Sequence, residues 1–342
     1  MPQGIPETCK AIVLDHANAP WALRDVPVPQ PKENELLVKT ISCGVCHSDV
    51  ATRKGDFDFV ANYPLIPGHE VVGTIIAVGS DVKGWSVGQR VGAGWHGGAD
   101  GQCKACARAL PQVCWNVEIT GVTRDGGFSE YCTMRADAAI CLPETIDPVS
   151  CAPLLCAGIT AFNGIRKCAI LQGDTVVICG VGGLGHLAIQ YARKMGYRTV
   201  AVSGKEDKRE EAIRLGAHRF INAEQEDVVE ILRAEGGASL VMNFVPDPET
   251  VKKMSRAVAP GGSLLLIAPV NGVELDFIEL IVYGVQVKTW SSGFPAETRE
   301  AIDFAIQEDV KCLVKEYPLE KIEDALKAMD DRTIRFRPVI KF

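Results

Sequence analysis

One segment of the sequence constrains the fold more than any other. The apolar run 175–179 leads directly into a glycine-rich loop, and a helical pattern follows from Leu187 to Met195. Glycine at these spacings permits a tight turn and close backbone approach to a pyrophosphate, which the N-terminus of the next helix attracts. The loop residues are Gly180, Gly182, Gly183, Leu184 and Gly185. This context predicts a dinucleotide site more strongly than the alternative, a glycine-rich turn without a ligand.

The remaining segments predict two domains around this loop. Between residues 157 and 289, short apolar strands alternate with helical segments, which is typical of a parallel, doubly wound α/β sheet. Its predicted strands are 174–179, 199–202, 239–242, 263–267 and 285–288. Residues 1–156 are rich in glycine and proline and carry short β-branched runs, which predict an antiparallel β domain with long loops. Residues 290–342 predict two helices and a strand that rejoin the first domain.

The residues after the second predicted strand of the coenzyme domain bear on the choice of coenzyme. A carboxylate at the end of this strand binds the ribose hydroxyls of NAD and repels a 2′-phosphate. Here the strand ends in Ser203, and Lys205, Lys208 and Arg209 follow, which would suit a 2′-phosphate. The acids at 206 and 207 interrupt this basic cluster, and either can still turn toward a ribose. The pattern therefore favours NADP over NAD only slightly.

Composition and charge argue against several partners. The 342 residues carry a formal net charge of −7 and no basic cluster that would follow a phosphate backbone, so nucleic acid is not expected. The segment Met1–Lys10 lacks the basic start and apolar stretch of a signal peptide, and no apolar run reaches about 18 residues. We therefore expect no membrane span and a cytoplasmic location, where the 13 cysteines are reduced. Those that stand alone in sequence are predicted to be packed: Cys9, Cys132, Cys141, Cys151, Cys168, Cys179 and Cys312.

A loop rich in glycine carries the first set of metal-ligand residues. Cys103, Cys106 and Cys114 supply three thiolates at a spacing typical of zinc sites. A structural zinc keeps four positions closed, and Asp100, three residues before Cys103, is placed to complete the set. The alternative is a zinc-free loop with three free thiols.

A second set begins with a CxxC pair. Cys43 and Cys46 are followed by His47, Ser48 and Asp49, and His69 comes about twenty residues later. A CxxC pair alone is compatible with a redox pair or a zinc knuckle, and a single histidine is more often a buried hydrogen-bonding residue than a ligand. Spacing alone does not decide between these alternatives. Thiolates and an imidazole can bind zinc with an open fourth position for catalysis.

The combined motifs resemble the zinc-dependent medium-chain dehydrogenase family, in particular its shorter, yeast-type alcohol dehydrogenases. The resemblance covers almost the full chain. Its supporting motifs are Cys-His-Ser-Asp at 46–49, Gly-His-Glu at 68–70, the Cys103/Cys106/Cys114 loop, Gly-Gly-Phe-Ser-Glu-Tyr at 126–131, Cys-Ala-Gly-Ile-Thr at 156–160 and Gly-Val-Gly-Gly-Leu-Gly at 180–185. It implies a GroES-like antiparallel β catalytic domain and a Rossmann coenzyme domain.

The resemblance also implies roles for single residues. The implied ligands of the catalytic zinc are Cys46, His69 and Cys156, which leaves Cys43 as a core thiol. Glu70 corresponds to a glutamate that can approach the metal when the fourth ligand leaves, and Asp49 to the carboxylate that orients the histidine ligand. Further implied positions are His47 and Arg337 at the coenzyme pyrophosphate, Thr160 at the nicotinamide, and Phe57 and Trp95 in the substrate pocket. For both aromatic residues, plain core packing is the alternative.

The implied reaction is hydride transfer between a primary alcohol, small or aromatic, and NAD(P). Ser48 is the predicted first proton acceptor. Many relatives place a proton-relay histidine three residues later, where this chain has Ala51, so the dependence of rate on pH is expected to lack a limb near pH ~6.5. The family also implies a homotetramer. The alternatives are a zinc-free reductase of the same superfamily and a coenzyme-binding protein without catalysis.

Overall fold

The computed structural model describes residues 4–331 and 333–342, so the first three residues of the segment considered for a signal peptide lie outside it. The strands are β1 (Thr8–Val13), β2 (Ala22–Pro27), β3 (Glu35–Gly44), β4 (Val71–Val78), β5 (Arg90–Ala93), β6 (His96–Gly98), β7 (Glu118–Ile119), β8 (Tyr131–Arg135), β9 (Ile140–Cys141), β10 (Thr175–Cys179), β11 (Arg198–Ser203), β12 (Arg219–Asn222), β13 (Ala238–Asn243), β14 (Val258–Leu266), β15 (Gln286–Thr289), β16 (Val314–Tyr317) and β17 (Arg337–Lys341). The α-helices are α1 (His47–Lys54), α2 (Lys104–Ala107), α3 (Pro148–Cys151), α4 (Ala157–Arg166), α5 (Gly185–Lys194), α6 (Arg209–Arg214), α7 (Val228–Ala234), α8 (Pro248–Ser255), α9 (Phe277–Tyr283), α10 (Pro295–Gln307) and α11 (Ile322–Asp330). Short 3-10 helices lie at Pro111–Val113, Ala152–Leu155, Glu206–Lys208 and Leu319–Lys321.

The chain divides into two compact units. The first comprises Met1–Ile159, Ser292–Ile306 and Lys311–Phe342, and the second comprises Thr160–Ser291 and Gln307–Val310. These units meet at 159/160 and 291/292, and the domain boundaries at 156/157 and 289/290 stay a prediction. The C-terminal strand β17 pairs with β3, so the tail belongs to the sheet of the first unit.

The first unit is built on a sheet with the strand order β16-β17-β3-β4-β5-β9, and β8 also pairs with β3. Antiparallel pairing of β3 with β4 sets Cys43 opposite Val71, which brings the end of β3 beside the start of β4. The core below this sheet combines Val38, Ile75 and Phe128 with residues of α11. This pairing determines where the loops after β3 and before β4 meet.

The second unit contains a sheet with the order β12-β11-β10-β13-β14-β15 in which every neighbouring pair is parallel. Its central strand β10 has the sequence TVVIC and is buried along almost all its length, as expected where helices cover both faces of a sheet. Asp227, Asp247 and Asp276 accept hydrogen bonds from the first-turn N–H groups of α7, α8 and α9. These caps satisfy donors that a helix start leaves unpaired.

The predicted fold class, an antiparallel β domain with a doubly wound parallel sheet, is confirmed, but some elements differ. Strand β14 begins at Val258 rather than 263, because a register shift against β13 extends the ladder through a Pro-Gly-Gly segment. The final strand begins at Arg337 rather than near 335. The packing prediction is wrong for Cys141, whose side chain is exposed because Ile140 takes the inward position in the two-residue strand β9.

Among the described residues, no single helix is long and apolar enough to cross a membrane. The helical segments Pro148–Leu155 and Ala157–Arg166 reach the length and apolar composition of a membrane span only when they are taken together. They are bent by 49° at the break between them.

Candidate metal centres and coenzyme loop

The first candidate metal centre lies in the first unit, where three loops meet. Cys46 follows β3 by two residues, and His69 precedes β4 by two residues, so the register of this pair places both at one end of the sheet. Cys156 directly follows the 3-10 helix at 152–155, whose four residues are buried. The ligand atoms of Cys46, His69, Glu70 and Cys156 all lie within 4.8 Å of one another.

His69 is the residue that tests whether a metal fits this cluster. Its side chain is 1% exposed, and its Nε2 atom has no hydrogen-bond partner among the described residues. A buried imidazole nitrogen without a partner is costly unless it binds something. Two sulfurs and one imidazole are the donors that a catalytic zinc uses while it keeps a fourth position open. The residues present therefore fit zinc.

Asp49 holds the loops of this centre together. Its Oδ2 accepts a hydrogen bond from the backbone N of Cys46 at 2.8 Å. Its Oδ1 lies 3.1 Å from Nδ1 of His69 and accepts from the backbone N of Gly68 at 3.2 Å. Because Nδ1 is held by the carboxylate, Nε2 is the ring nitrogen left for a metal. The structure thus brings Asp49 to the position that the resemblance implies.

The electrostatics of the cluster favour one thiolate before a metal binds. A hydrogen bond from the Cys156 thiol lowers the pKa of Cys46 well below its ordinary value, and His69 and Arg337 lower it further. The same hydrogen bond, together with burial, raises the pKa of Cys156. Burial lowers the pKa of His69, but Asp49 and Cys46 outweigh it and raise that pKa well above the ordinary value. A metal ion therefore competes here with protons on His69 and Cys156.

Glu70 lies next to His69 and forms a buried ion pair with Arg337 through its Oε1 atom. Burial raises the pKa of Glu70 to about 7, although the positive charge of Arg337 opposes this shift. The other oxygen, Oε2, packs against the backbone of Gly44, where an added Cβ would lie only 1.8 Å away. Since Arg337 is 1% exposed and paired with Glu70, its contact with a pyrophosphate stays a prediction.

Two aromatic rings lie beside His69, the candidate histidine ligand. The ring of Trp95 meets His69 edge-on with their centroids 5.0 Å apart, and Phe57 lies 5.4 Å from Trp95. The Ser48 hydroxyl is 3.8 Å from the sulfur of Cys46, on the first turn of α1. His47 begins the same helix and is exposed. The structure therefore brings Trp95, Phe57 and Ser48 close to the candidate ligands.

The second candidate metal centre is the lobe formed by residues 100–116. The sulfur of Cys103 lies 3.6 Å from the sulfurs of both Cys106 and Cys114, and Cys106 lies 3.4 Å from Oδ1 of Asp100. Ligands on a tetrahedral zinc are separated by about 3.8 Å for two sulfurs and about 3.5 Å for sulfur and oxygen, given the usual bond lengths. Hydrogen bonds from backbone N–H groups lower the pKa of Asp100 strongly, so the carboxylate is ionised as a ligand must be. The lobe residues fit a closed zinc site.

The glycine-rich loop of the second unit lies between β10 and α5, where the sequence predicts a dinucleotide site. Gly180 has a φ of 101°, and a Cβ at Gly185 would lie 1.9 Å from the carbonyl oxygen of Gly180. Around Gly182, by contrast, no heavy atom lies within 4 Å of an added Cβ, so the backbone is open to a ligand there. The ten-residue helix α5 begins at Gly185. Thr160 is a buried residue of α4 in this unit.

The segment after β11 is organised by ion pairs. Arg209 binds Glu206 at 2.5 Å and stacks its guanidinium over Phe220, and Asn222 donates to the same glutamate at 2.8 Å. The Ser203 hydroxyl accepts from the backbone N of Lys205 at 3.3 Å. Arg209 and Glu206 thus neutralise each other, which leaves Lys205 as an exposed cation beside Ser203.

Three contacts of these sites were not foreseen from the sequence. They are the ion pair of Arg337 with Glu70, the close approach of Gly44 to that glutamate, and a hydrogen bond from Asn116 to Asp100. The first two join residues that are distant in the chain, and the sequence carries no signal for them. Asn116 lies two residues after a cysteine ligand, and that proximity is the only available hint.

Comparisons with known proteins agree with this geometry. Residues 32–144 match the family model described as alcohol dehydrogenase GroES-like domain, and residues 183–307 match that described as zinc-binding dehydrogenase. Alcohol dehydrogenase notN of Aspergillus sp. (strain MF297-2) is 40% identical, with 98% of both chains covered. Alcohol dehydrogenase patD of Penicillium expansum is 41% identical over the same shares.

Solved structures give the same result. The alcohol dehydrogenase of Aeropyrum pernix superposes with a TM-score of 0.90 at 31% identity, covering 97% of this chain and 100% of that one. CAD of Helicobacter pylori, solved with NADP(H), has a TM-score of 0.87 at 25% identity and covers 98% of each chain. Identity of 40% or more over nearly the full length, with both domain models matched, identifies the family. The chain belongs to the zinc-type medium-chain dehydrogenase/reductase family and is an oxidoreductase of the alcohol dehydrogenase type.

Proposed function

We propose that this protein is a zinc-dependent alcohol dehydrogenase and aldehyde reductase that transfers a hydride between a primary alcohol, small or aromatic, and NAD(P). The observation that carries the proposal is the cluster of Cys46, His69 and Cys156, in which the first two residues are buried and Cys156 is half-buried. In it, the Nε2 atom of His69 has no partner in the described part of the chain. This donor set leaves one coordination position for substrate oxygen, which is the arrangement of a catalytic rather than a structural zinc.

The proposed reaction removes a hydride from the alcohol carbon and a proton from its hydroxyl. When bound, zinc supplies a Lewis acid that lowers the pKa of an alcohol hydroxyl and polarises a carbonyl in the reverse direction. Asp49 keeps the His69 ring in the orientation that this requires. Ser48 is the proposed first acceptor of the hydroxyl proton. Since Ala51 carries no proton-accepting group, the proton leaves through water or another residue.

The substrate proposal rests on the aromatic rings beside the histidine ligand. Trp95 packs against His69 and Phe57 packs against Trp95, and aromatic rings at this position can stack on a flat substrate. Small or flat primary alcohols and their aldehydes therefore fit better than bulky secondary ones. Coenzyme preference is proposed as slightly in favour of NADP, supported by Lys205 beside Ser203 and by the NADP(H) complex of the Helicobacter pylori relative.

The proposal includes two zinc ions per chain. The second, held by Asp100, Cys103, Cys106 and Cys114, would brace the lobe without taking part in the reaction. By the family resemblance we further propose a homotetramer, which sedimentation velocity would measure. We also propose a cytoplasmic location, where cysteines stay reduced.

The test compares two cysteines of one CxxC motif. Purified wild-type protein should contain two zinc ions per chain and oxidise primary alcohols with NAD(P). Cys46→Ala should lose one zinc and at least about a thousandfold in kcat/KM, since the metal carries most of the rate enhancement. Cys43→Ala is the matched control, because the Cys43 thiol is buried in the core and is not part of the ligand cluster.

The outcomes separate the alternatives. Reduction of activated double bonds without a zinc requirement would indicate the zinc-free reductase. Binding of coenzyme with no turnover of any alcohol or aldehyde would indicate a non-catalytic protein. Loss of zinc in Cys43→Ala but not in Cys46→Ala would refute the assignment of the ligands.

A further inference from the structure

The lobe centre has an unusual requirement because one of its four candidate ligands is a carboxylate. A thiolate offers one donor atom, but Asp100 offers two oxygens on a side chain with two rotatable bonds. A closed tetrahedral site needs only one of them. Without a hydrogen-bond partner of its own, the second oxygen can bind the metal in place of the first. It can also form hydrogen bonds with water, which would rotate the side chain away from the site.

Asn116 contacts this second oxygen. Its Nδ2 donates a hydrogen bond to Oδ2 of Asp100 at 2.8 Å. The other oxygen, Oδ1, accepts from the backbone N of Gln102 at 2.9 Å and of Cys103 at 3.0 Å, and lies 3.4 Å from the sulfur of Cys106. The two oxygens therefore have different surroundings: Oδ2 faces the amide, and Oδ1 lies next to a thiol.

The backbone of Asn116 contacts a second candidate ligand. Its N–H donates to the sulfur of Cys114 at 3.3 Å. A hydrogen bond of this kind restrains the position of the sulfur and the direction of its lone pairs. One residue thus orients both Asp100, through its side chain, and Cys114, through its main chain.

We propose that Asn116 is a positioning residue of the lobe metal site, which binds Oδ2 of Asp100 so that Oδ1 alone completes a closed site of three sulfurs and one oxygen. The inference rests on the proposed second zinc. It explains how a lobe that lacks a fourth cysteine keeps a single geometry. Residues that hydrogen-bond to a metal ligand without touching the metal typically change the affinity of the site for the metal by about 10- to 100-fold.

The experiment measures release of zinc from the full-length holoenzyme to a chromophoric chelator. The kinetic phase that reports release of the lobe zinc is the one that is absent in the Cys103→Ser variant. Asn116→Ala should release the lobe zinc about tenfold faster, since Asn116 is exposed and water replaces its amide in part. Gln102→Ala is the matched control: it removes another exposed amide of the same loop but keeps the backbone N–H that binds Asp100. Asn116→Ser, which is also too short to reach Oδ2, should behave as Asn116→Ala does.

A second pair of variants tests the mechanism. In an Asp100→Cys background there is no second oxygen to hold, so adding Asn116→Ala should leave the release rate unchanged within about twofold. Equal rates for wild type, Asn116→Ala and Gln102→Ala would overturn the inference, as would an equal effect of Asn116→Ala in both backgrounds. A wild-type protein with a single zinc per chain would instead refute the lobe zinc itself, which is a separate failure.

Discussion

Replacement of Asp49 by asparagine is the sharpest test of how the candidate catalytic centre is held. The carboxylate is buried, and it contacts three groups: the backbone N of Cys46, the backbone N of Gly68 and Nδ1 of His69. Asparagine has the same shape but only one accepting oxygen. In either orientation its NH2 group faces at least one N–H donor, so at least one of these hydrogen bonds is lost.

The magnitude follows from these contacts. A buried donor left without a partner costs about 1–3 kcal/mol. The hydrogen bonds that remain become weaker, because they are no longer made to a negatively charged carboxylate. Both ends of the lost network are proposed metal ligands, Cys46 through its backbone and His69 through its ring. Removal of a carboxylate behind a histidine ligand typically lowers metal affinity by about 10- to 100-fold. We expect Asp49→Asn to fall in this range for the catalytic zinc.

The assay is competition for zinc with a chelator of known affinity, together with kcat/KM for a primary alcohol at limiting and at saturating zinc. Asp56→Asn is the control, because Asp56 is an exposed acid close to the same helix. The variant should recover part of its activity at saturating zinc. If Asp49→Asn binds zinc within about twofold of wild type, the structural reasoning about His69 is incorrect.

Three further predictions concern other parts of the chain. Gly44→Ala should lower the free energy of unfolding, measured by urea denaturation, by about 3–5 kcal/mol. The added Cβ would collide with Glu70 and leave the buried charge of Arg337 uncompensated. An unchanged denaturation midpoint would contradict this. Gly185→Ala should raise the coenzyme Kd at least about tenfold in a fluorescence titration while zinc content stays the same, because its Cβ would lie 1.9 Å from the Gly180 carbonyl oxygen. Ser203→Asp should shift the ratio of kcat/KM for NADP over NAD toward NAD by at least about tenfold, since a carboxylate repels the 2′-phosphate; the same ratio in variant and wild type would place the 2′-phosphate elsewhere.

Local sequence patterns predicted the centre of the coenzyme unit but missed its edge strand β12. A continuous apolar strand, glycines at fixed spacing and a helix lie within about twenty residues of each other, and β10, the loop and α5 follow that order. Strand β14 was predicted to begin at 263, but it begins at Val258 and includes a Pro-Gly-Gly segment. A register shift against β13 absorbs the irregularity, and pairing between distant strands is invisible in a local pattern.

The residue types of the two metal centres were also predictable, but their contacts were not. Spacing predicted the lobe set of three cysteines and an aspartate, whereas the set of Cys46, His69 and Cys156 followed only from the family resemblance. The edge-on contact of Trp95 with His69 and the pair of Arg337 with Glu70 depend on segments far apart in the chain. Such contacts follow from how the strands pair, and no single segment of sequence contains that information.

The pairing of β3 with β4 shows how strongly the candidate catalytic centre depends on register. Cys43 lies opposite Val71, so Cys46, two residues after β3, and His69, two residues before β4, lie at the same end of this strand pair. Because side chains alternate between the faces of a sheet, a slip by one residue would turn every core residue of one strand toward the opposite face. Val38 and Ile75, both fully buried, oppose such a slip. The apolar core thus fixes the register, and the register in turn sets the separation of the ligands. Substitutions in the core of this sheet are therefore expected to weaken zinc binding even where they are far from the metal.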